Sequence, residues 1–233
     1  MPRRIAVLAS GRGSNLRVML EYFAHSARRE AATVVLVASN KPDAGALGIA
    51  RDAGIEARVL DTGPEHEAAL LHLFDEQEID IVVLGGYLRL IPGAVVRRYS
   101  GRMINVHPAL LPAFGGPGMY GARVHRAVLT AGVRLSGPTV HFVDDIYDHG
   151  AIIAQWPVPV FPGDTEEAVA SRVLYAEHRL LPRVVHALAI DRIRLMPDGR
   201  VEGATLRGDH TAFFALDNQA TLEVAMEKTL GLD

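Results

Sequence analysis

Apolar positions along this chain fall into two kinds of run. Ile5 to Ala9 is an unbroken apolar stretch, and Thr33 to Val37 and Ile79 to Leu84 are runs of similar length rich in Val and Ile. Such runs predict strands covered on both faces. Between them the apolar residues recur at helical spacing, over Leu16 to Phe23, Ala44 to Ala53 and Glu65 to Gln77. Gly54 closes the second of these as a residue just past a helix end. Ala57 to Leu60 reads as a weaker strand and Met103 to Val106 as a fifth. Strands separated by helices of roughly 10–15 residues predict parallel βαβ units in an open α/β sheet, Rossmann-like in this first half.

The pattern changes after Pro108. Residues 108–122 are rich in Pro and Gly and predict an irregular loop, followed by a short helix over Arg123 to Ala131. Pro138 to Val143 and Ile152 to Val160 are β-rich and predict an antiparallel pair across a long connection. Asp164 and Glu167 form a pattern like a capping box ahead of a helix of about 20 residues, in which Pro182 predicts a kink or break. Trp156 and Phe161 read as core. Arg192 to Met196 and Val201 to Thr205 flank a Pro-Asp-Gly-Arg turn and predict a hairpin. The domain expectation is a catalytic unit over 1–206 and an extension over 207–233 that contains an amphipathic helix.

Bulk composition narrows the class. The 233 residues are 49% hydrophobic and 22% charged, which excludes a disordered chain. The apolar run Ile81 to Leu88 ends at Arg89, far short of the roughly 20 residues of a membrane span. The apolar run at the N-terminus leads into a Gly-rich loop and is too short for a signal sequence, so a cytoplasmic protein is expected. With no cysteine there is no disulfide, thiolate metal site or cysteine nucleophile. A net charge of -3 and the lack of a basic run argue against a nucleic-acid partner. No strong His-Glu metal spacing occurs, and no metal is expected.

Ser10-Gly11-Arg12-Gly13-Ser14-Asn15 follows a predicted strand and opens a predicted helix. A helix N-terminus offers free N–H groups and a positive dipole end, which suit a phosphate. The loop lacks the Gly-Lys-Ser/Thr ending of a P-loop and the third glycine of a dinucleotide fingerprint. Its spacing fits both a phosphate cradle and a plain tight turn. Asn105-Val106-His107-Pro108 lies at the carboxyl end of a predicted strand, where open α/β sheets bind ligands. Alternation puts Asn105 and His107 on one side. An amide beside an imidazole suits acyl transfer, because both can donate to a developing oxyanion. A polar strand end is the alternative. The carboxylates of Asp144 to Asp148 would ordinarily just turn the chain, unless one of them lies against His107 and orients its ring. His141 alternates with Val140 and Phe142 in a predicted strand, and His125 is ambiguous.

Four stretches together carry a resemblance. They are Leu8-Ala-Ser-Gly-Arg-Gly-Ser-Asn15, Ser39-Asn-Lys-Pro-Asp-Ala44, Val83-Leu-Gly-Gly-Tyr-Leu-Arg-Leu90 and Ile104-Asn-Val-His-Pro-Ala-Leu-Leu-Pro112. Thr139 to Val143, Asp148-His-Gly150 and Ala176-Glu-His178 extend it over about residues 4–205. The chain resembles the glycinamide ribonucleotide formyltransferases, the folate-dependent transformylases of purine synthesis. The resemblance implies a seven-stranded, mostly parallel sheet with antiparallel strands in its C-terminal half. It implies 10-formyltetrahydrofolate and 5'-phosphoribosylglycinamide (GAR) as substrates, and Asn105, His107 and Asp148 as the catalytic set. It places the GAR phosphate on Gly13, Ser14 and Asn15, and a ribose hydroxyl on Glu177. The folate would lie against Leu88, Arg89, Leu90, Ile91 and Asn105, and against the loop of Asp144, Asp145, Ile146, Tyr147 and Asp148, with Arg89 facing its glutamate tail. His141 would support the trio from behind. A homodimer is compatible with the family, and a membrane partner is not expected.

Three stretches depart from the family pattern. The loop Ala113 to Val124 is longer than in compact members, Asp61 to Glu67 lacks an arginine that some members carry near the folate tail, and the extension from about Gly208 to Asp233 has no family role, packing or a dimer contact being the plain expectation. The rival readings are a formyltetrahydrofolate hydrolase, which shares the trio but transfers to water, another formyltransferase of the superfamily, and a catalytically dead binding module.

Overall fold

The computed structural model describes residues 1–203. The expected tail helix and the end of the expected last strand lie outside the described residues. The N-terminal half alternates as the apolar pattern predicts. It contains β1 (Arg3–Leu8), α1 (Ser14–Phe23), α2 (Ser26–Ala31), β2 (Ala32–Ser39), α3 (Gly45–Asp52), β3 (Glu56–Val59), α4 (His66–Glu76), β4 (Ile81–Leu84), α5 (Gly93–Arg98) and β5 (Met103–His107). The C-terminal half adds α6 (Ala122–Thr130), β6 (Leu135–Ser136), β7 (Thr139–Phe142), β8 (Ile152–Gln155), β9 (Val158–Pro159), α7 (Glu166–Ala189), β10 (Arg194–Leu195) and β11 (Val201–Glu202).

Seven strands form one sheet in the order β3-β2-β1-β4-β5-β7-β8. The pairs from β3 to β5 are parallel; β5 with β7 and β7 with β8 are antiparallel. Side chains alternate along β1, so Ile5 and Val7 enter one apolar layer and Ala6 and Leu8 the other. The first layer packs under α1, α3, α6 and α7, and the second under α4 and α5. The chain leaves β1 toward β2 on one side and leaves the adjacent β4 toward β5 on the other, so β1 and β4 turn to opposite sides at their carboxyl ends. That switch point opens a crevice.

Four local expectations are corrected. Pro182 does not break α7, which runs 24 residues through it. Its ring is buried, and Val173, Leu180, Leu181, Val184 and Val185 seat the same helix in the core. Burying that face outweighs the local loss of about 3 kcal/mol for an internal proline. The cap of α7 is Thr165, whose Oγ1 accepts from the Ala168 N–H at 3.2 Å. Asp164 instead accepts from Phe161 N at 2.7 Å and pairs with Arg172. The run Ile152 to Val160 splits at Trp156-Pro157, and β9 leaves the main sheet to pair with β6. Trp156 is core, but Phe161 is 54% exposed and lies under the Arg172 guanidinium at 4.9 Å. Helices α2 and α5 have six residues each, too short for a periodic signal.

Candidate active site

The crevice is a cavity of about 740 Å³. Its walls are the residues that follow β1 (Gly11 to Asn15), those that follow β4 (Gly85 to Leu88), the end of β5 with Pro108, the loop Gly116 to Ala122, and one side of α7.

The β1 loop is held in shape by its neighbours. Gly13 has φ +81°, and a Cβ there would lie 2.7 Å from the Ala46 backbone. The Ala46 N–H donates to Gly11 O at 3.2 Å, which pins the loop to α3. Helix α1 then starts with no side-chain cap and no acidic residue in its first turn. Its first turn therefore lines the cavity with N–H groups that no side chain caps, the arrangement that suits an anion. Asn15 sits in this turn, buried, and its Nδ2 donates to Glu177 Oε1 from α7. The Asn15 Oδ1 has no partner among the described residues. Burial pushes the Glu177 carboxyl up to about 7, against the opposing pull of the Asn15 hydrogen bond.

Antiparallel register assembles the second group. Asn105 of β5 lies opposite His141 of β7, and His107 lies opposite Thr139. The His141 Nδ1 contacts Phe142 O at 2.7 Å; a carbonyl only accepts, so this nitrogen carries the hydrogen. Burial keeps the affinity of His141 for a second proton low. Its bare Nε2 accepts from Asn105 Nδ2 at 3.0 Å, which fixes which way the Asn105 amide faces. That amide nitrogen is also 3.4 Å from Asp148 Oδ1.

Asp148 reaches the site from the β7–β8 connection, with φ +54°. Its Oδ1 is 3.4 Å from His107 Nδ1, and its Oδ2 accepts from the Gly116 N–H at 2.9 Å. Burial raises this carboxyl, but His107 and the Gly116 N–H outweigh that and hold it below the usual carboxylate range. His107 is 3% exposed, and its Nε2 donates to Phe114 O at 2.8 Å. Phe114 itself has φ +57°, a turn that aims its carbonyl at the imidazole.

The structure thus brings Gly13, Ser14, Asn15, Glu177, Asn105, His107 and Asp148 around one cavity, with His141 buried behind Asn105. The expected folate residues divide. Leu88 and Tyr147 line the cavity, Leu90 and Ile146 are exposed outside it, and Ile91 is buried in the core. Arg89 donates to Thr62 Oγ1 at 3.1 Å, which ties it to the stretch that lacks the family arginine. Asp144 accepts from Ile146 N and pairs with His149 Nδ1 at 2.6 Å, so it builds the turn; Asp145 packs beside Gly93. Sequence reading left His125 undecided; the structure buries it in the cavity wall with Nδ1 unpartnered among the described residues and burial lowering its pKa. Arg12, Glu166 and Glu167 also line the cavity and carry no sequence signal beyond the loop and cap they sit in. Among the described residues no cluster of three or more His, Asp or Glu could hold a metal, and no helix is long and apolar enough to cross a membrane.

Residues 3–185 match the formyl transferase family model. The chain is 43% identical over 206 residues to a chloroplastic phosphoribosylglycinamide formyltransferase of Arabidopsis thaliana, covering 85% of this chain and 70% of that one. The chain belongs to the phosphoribosylglycinamide formyltransferases. A crystal structure of glycinamide ribonucleotide transformylase 1 from Symbiobacterium toebii, in the same family, matches with a TM-score of 0.78 and 37% identity over 86% of this chain and 93% of that one. A formyltetrahydrofolate deformylase from Pseudomonas syringae shares the fold at a TM-score of 0.74, with 27% identity over 87% of this chain and 66% of that one. The Symbiobacterium enzyme is thus nearer in sequence than this deformylase, and it matches over 93% of its own length.

Proposed function

We propose that this cavity transfers the formyl group of 10-formyltetrahydrofolate to the amine of GAR, with Asn105, His107 and Asp148 as the catalytic residues. The observation that carries the assignment is the meeting of Asn105 Nδ2 and His107 Nδ1, each 3.4 Å from Asp148 Oδ1, in a cavity whose far wall is the uncapped start of α1. The GAR phosphate would sit on Gly13, Ser14 and Asn15, and the ribose hydroxyls would reach Glu177. The pteridine would enter past Leu88 and Tyr147, with Leu90 and Ile146 at the mouth and Arg89, Ile91, Asp144 and Asp145 shaping the surrounding loops.

The neutral GAR amine attacks the formyl carbon, and negative charge builds on the formyl oxygen. An Asn105 N–H and an imidazole N–H of His107 donate to that oxygen; each such donor is worth roughly 3–4 kcal/mol at an acyl-transfer centre. The His107 Nε2–H is engaged by the Phe114 carbonyl, so the formyl oxygen takes over a hydrogen bond the protein already holds in place. Asp148 keeps the ring oriented. The new ammonium gives up one proton and N10 of the folate gains one, after which the C–N10 bond breaks. The products are formyl-GAR and tetrahydrofolate, and the protons balance.

The test is absorbance at the folate as the formyl group leaves, with and without GAR. GAR-dependent turnover is the expected result. Equal turnover without GAR would make the protein a hydrolase, and no turnover in either case would make it a binding module or give it another acceptor.

A further inference from the structure

The charges around the cavity do not match a phosphorylated substrate unless one residue is counted. Four acidic side chains line it, Asp148, Glu166, Glu167 and Glu177; Glu166 is paired with Arg126, and burial holds the proton on Glu177 up to about 7. Arg12 is the one Lys or Arg among the described lining residues. Cations near the cavity have partners, Arg126 in Glu166 at 2.7 Å, Arg172 in Asp164, Arg89 in Thr62 and Arg123 in the Tyr120 ring at 4.9 Å. Arg12 has no hydrogen bond or ion pair among the described residues, and it is exposed to the cavity.

Its backbone cannot drift away. Gly11 O accepts from Ala46 N, and a Cβ on Gly45 would lie 3.0 Å from Arg12 O and 3.2 Å from its Cα. Only the long side chain is free to move, and its guanidinium works beside the uncapped first turn of α1. A phosphate monoester carries nearly two charges at neutral pH, which the half charge of a helix end does not balance. A planar guanidinium can hold two phosphate oxygens at once.

We propose that Arg12 closes over the substrate phosphate and sets the preference of this enzyme for a phosphorylated acceptor. The proposal rests on the GAR reading above and adds the residue that makes an acidic cavity hospitable to a dianion. Arg12 is a positioning residue; it touches the phosphate and no reacting atom.

The test is steady-state kinetics of the full chain with GAR, for the parent, Arg12→Gln and Arg12→Lys, together with inhibition by ribose 5-phosphate and direct calorimetric binding of that probe. A hydrogen bond between charged groups is worth about 1.5–3 kcal/mol, or roughly 10- to 150-fold. Arg12→Gln should raise the KM for GAR by that factor, weaken ribose 5-phosphate by a similar one, and leave kcat within about threefold. Lysine should restore most of the loss, because charge is kept and only the fork is gone. Unchanged KM and unchanged probe binding in Arg12→Gln would overturn the proposal. So would a fall in kcat at constant KM, which would place Arg12 in the chemistry or in loop folding. If the parent itself shows no GAR-dependent turnover, the functional reading fails; probe binding to parent and variant still decides the role of Arg12.

Discussion

Asn105 shows how much one side chain depends on its surroundings. An asparagine at a strand end carries no direction of its own; the bare Nε2 of His141 turns its amide so that N–H, not C=O, faces Asp148 and the cavity. Asn105→Ala removes a donor to the developing oxyanion, so kcat should fall about 100- to 1000-fold. KM for GAR should stay within about threefold, since the phosphate loop is untouched; a kcat within tenfold of the parent would remove Asn105 from the chemistry. Glu177 gives a prediction about stability. Unfolded, its carboxyl ionises near 4.5; buried, it keeps its proton up to about 7. Between those values the unfolded chain has lost a proton that the native one retains, so stability falls as pH rises from 4.5 to 7 and levels off above. The size is on the order of 3 kcal/mol. Glu177→Gln keeps an acceptor for Asn15 and cannot ionise, so urea unfolding should find it gaining on the parent by that order between pH 4.5 and 7.5. A constant difference across the range would mean that Glu177 is ionised in the native cavity.

At the scale of elements, the site depends on two connections that pattern reading left shapeless. One is the β7–β8 turn. A Cβ on Gly150 would lie 1.9 Å from Phe142 O, so only glycine lets the turn fold back and present Asp148. Gly150→Ala should cost roughly 1–3 kcal/mol in stability and lower kcat, read by thermal melting and by turnover at a temperature where the variant is folded. Full kcat at reduced stability would show that Asp148 does not need this turn. The other is the loop after Pro112, whose Gly116 N–H and Phe114 carbonyl bind Asp148 and His107. The strands and long helices were legible because burial on one or two faces leaves a period in the sequence. That the Gly11 to Asn15 loop and the Asn105–His107 pair would meet at one cavity was legible because ligands bind at the carboxyl ends of strands in open α/β sheets. These two loops were not, since backbone hydrogen bonds from a Pro- and Gly-rich stretch leave no side-chain pattern. The break expected at Pro182 does not occur, for the opposite reason: it follows from a local rule, and burial along the whole of α7 decides instead. The residue that caps α7 was one position off, because Asp164 and Thr165 are both good caps and only the chain path to Arg172 separates them.

For the whole molecule, every residue of the cavity wall falls between Gly11 and Glu177. We therefore propose that 1–206 forms the catalytic unit. A chain ending at residue 206 should keep kcat and KM within about threefold of the full chain in the same assay. A large loss would give residues 207–233 a part in the reaction. Family membership was legible from the order of four motifs, while the cavity's charge balance was not, because it depends on which of 24 Lys and Arg residues the fold turns inward.

The hydrogen bond between Asn15 and Glu177 joins residues 162 apart in sequence. A chain emerging from the ribosome builds its βαβ first half early, at about 5–20 residues per second. The loop from Gly11 to Asn15 then waits on the order of ten seconds for the helix that closes over it. Throughout that interval the polar first turn of α1 faces water instead of α7. The cavity is therefore complete only when α7 docks, the last of the elements that line it to be made.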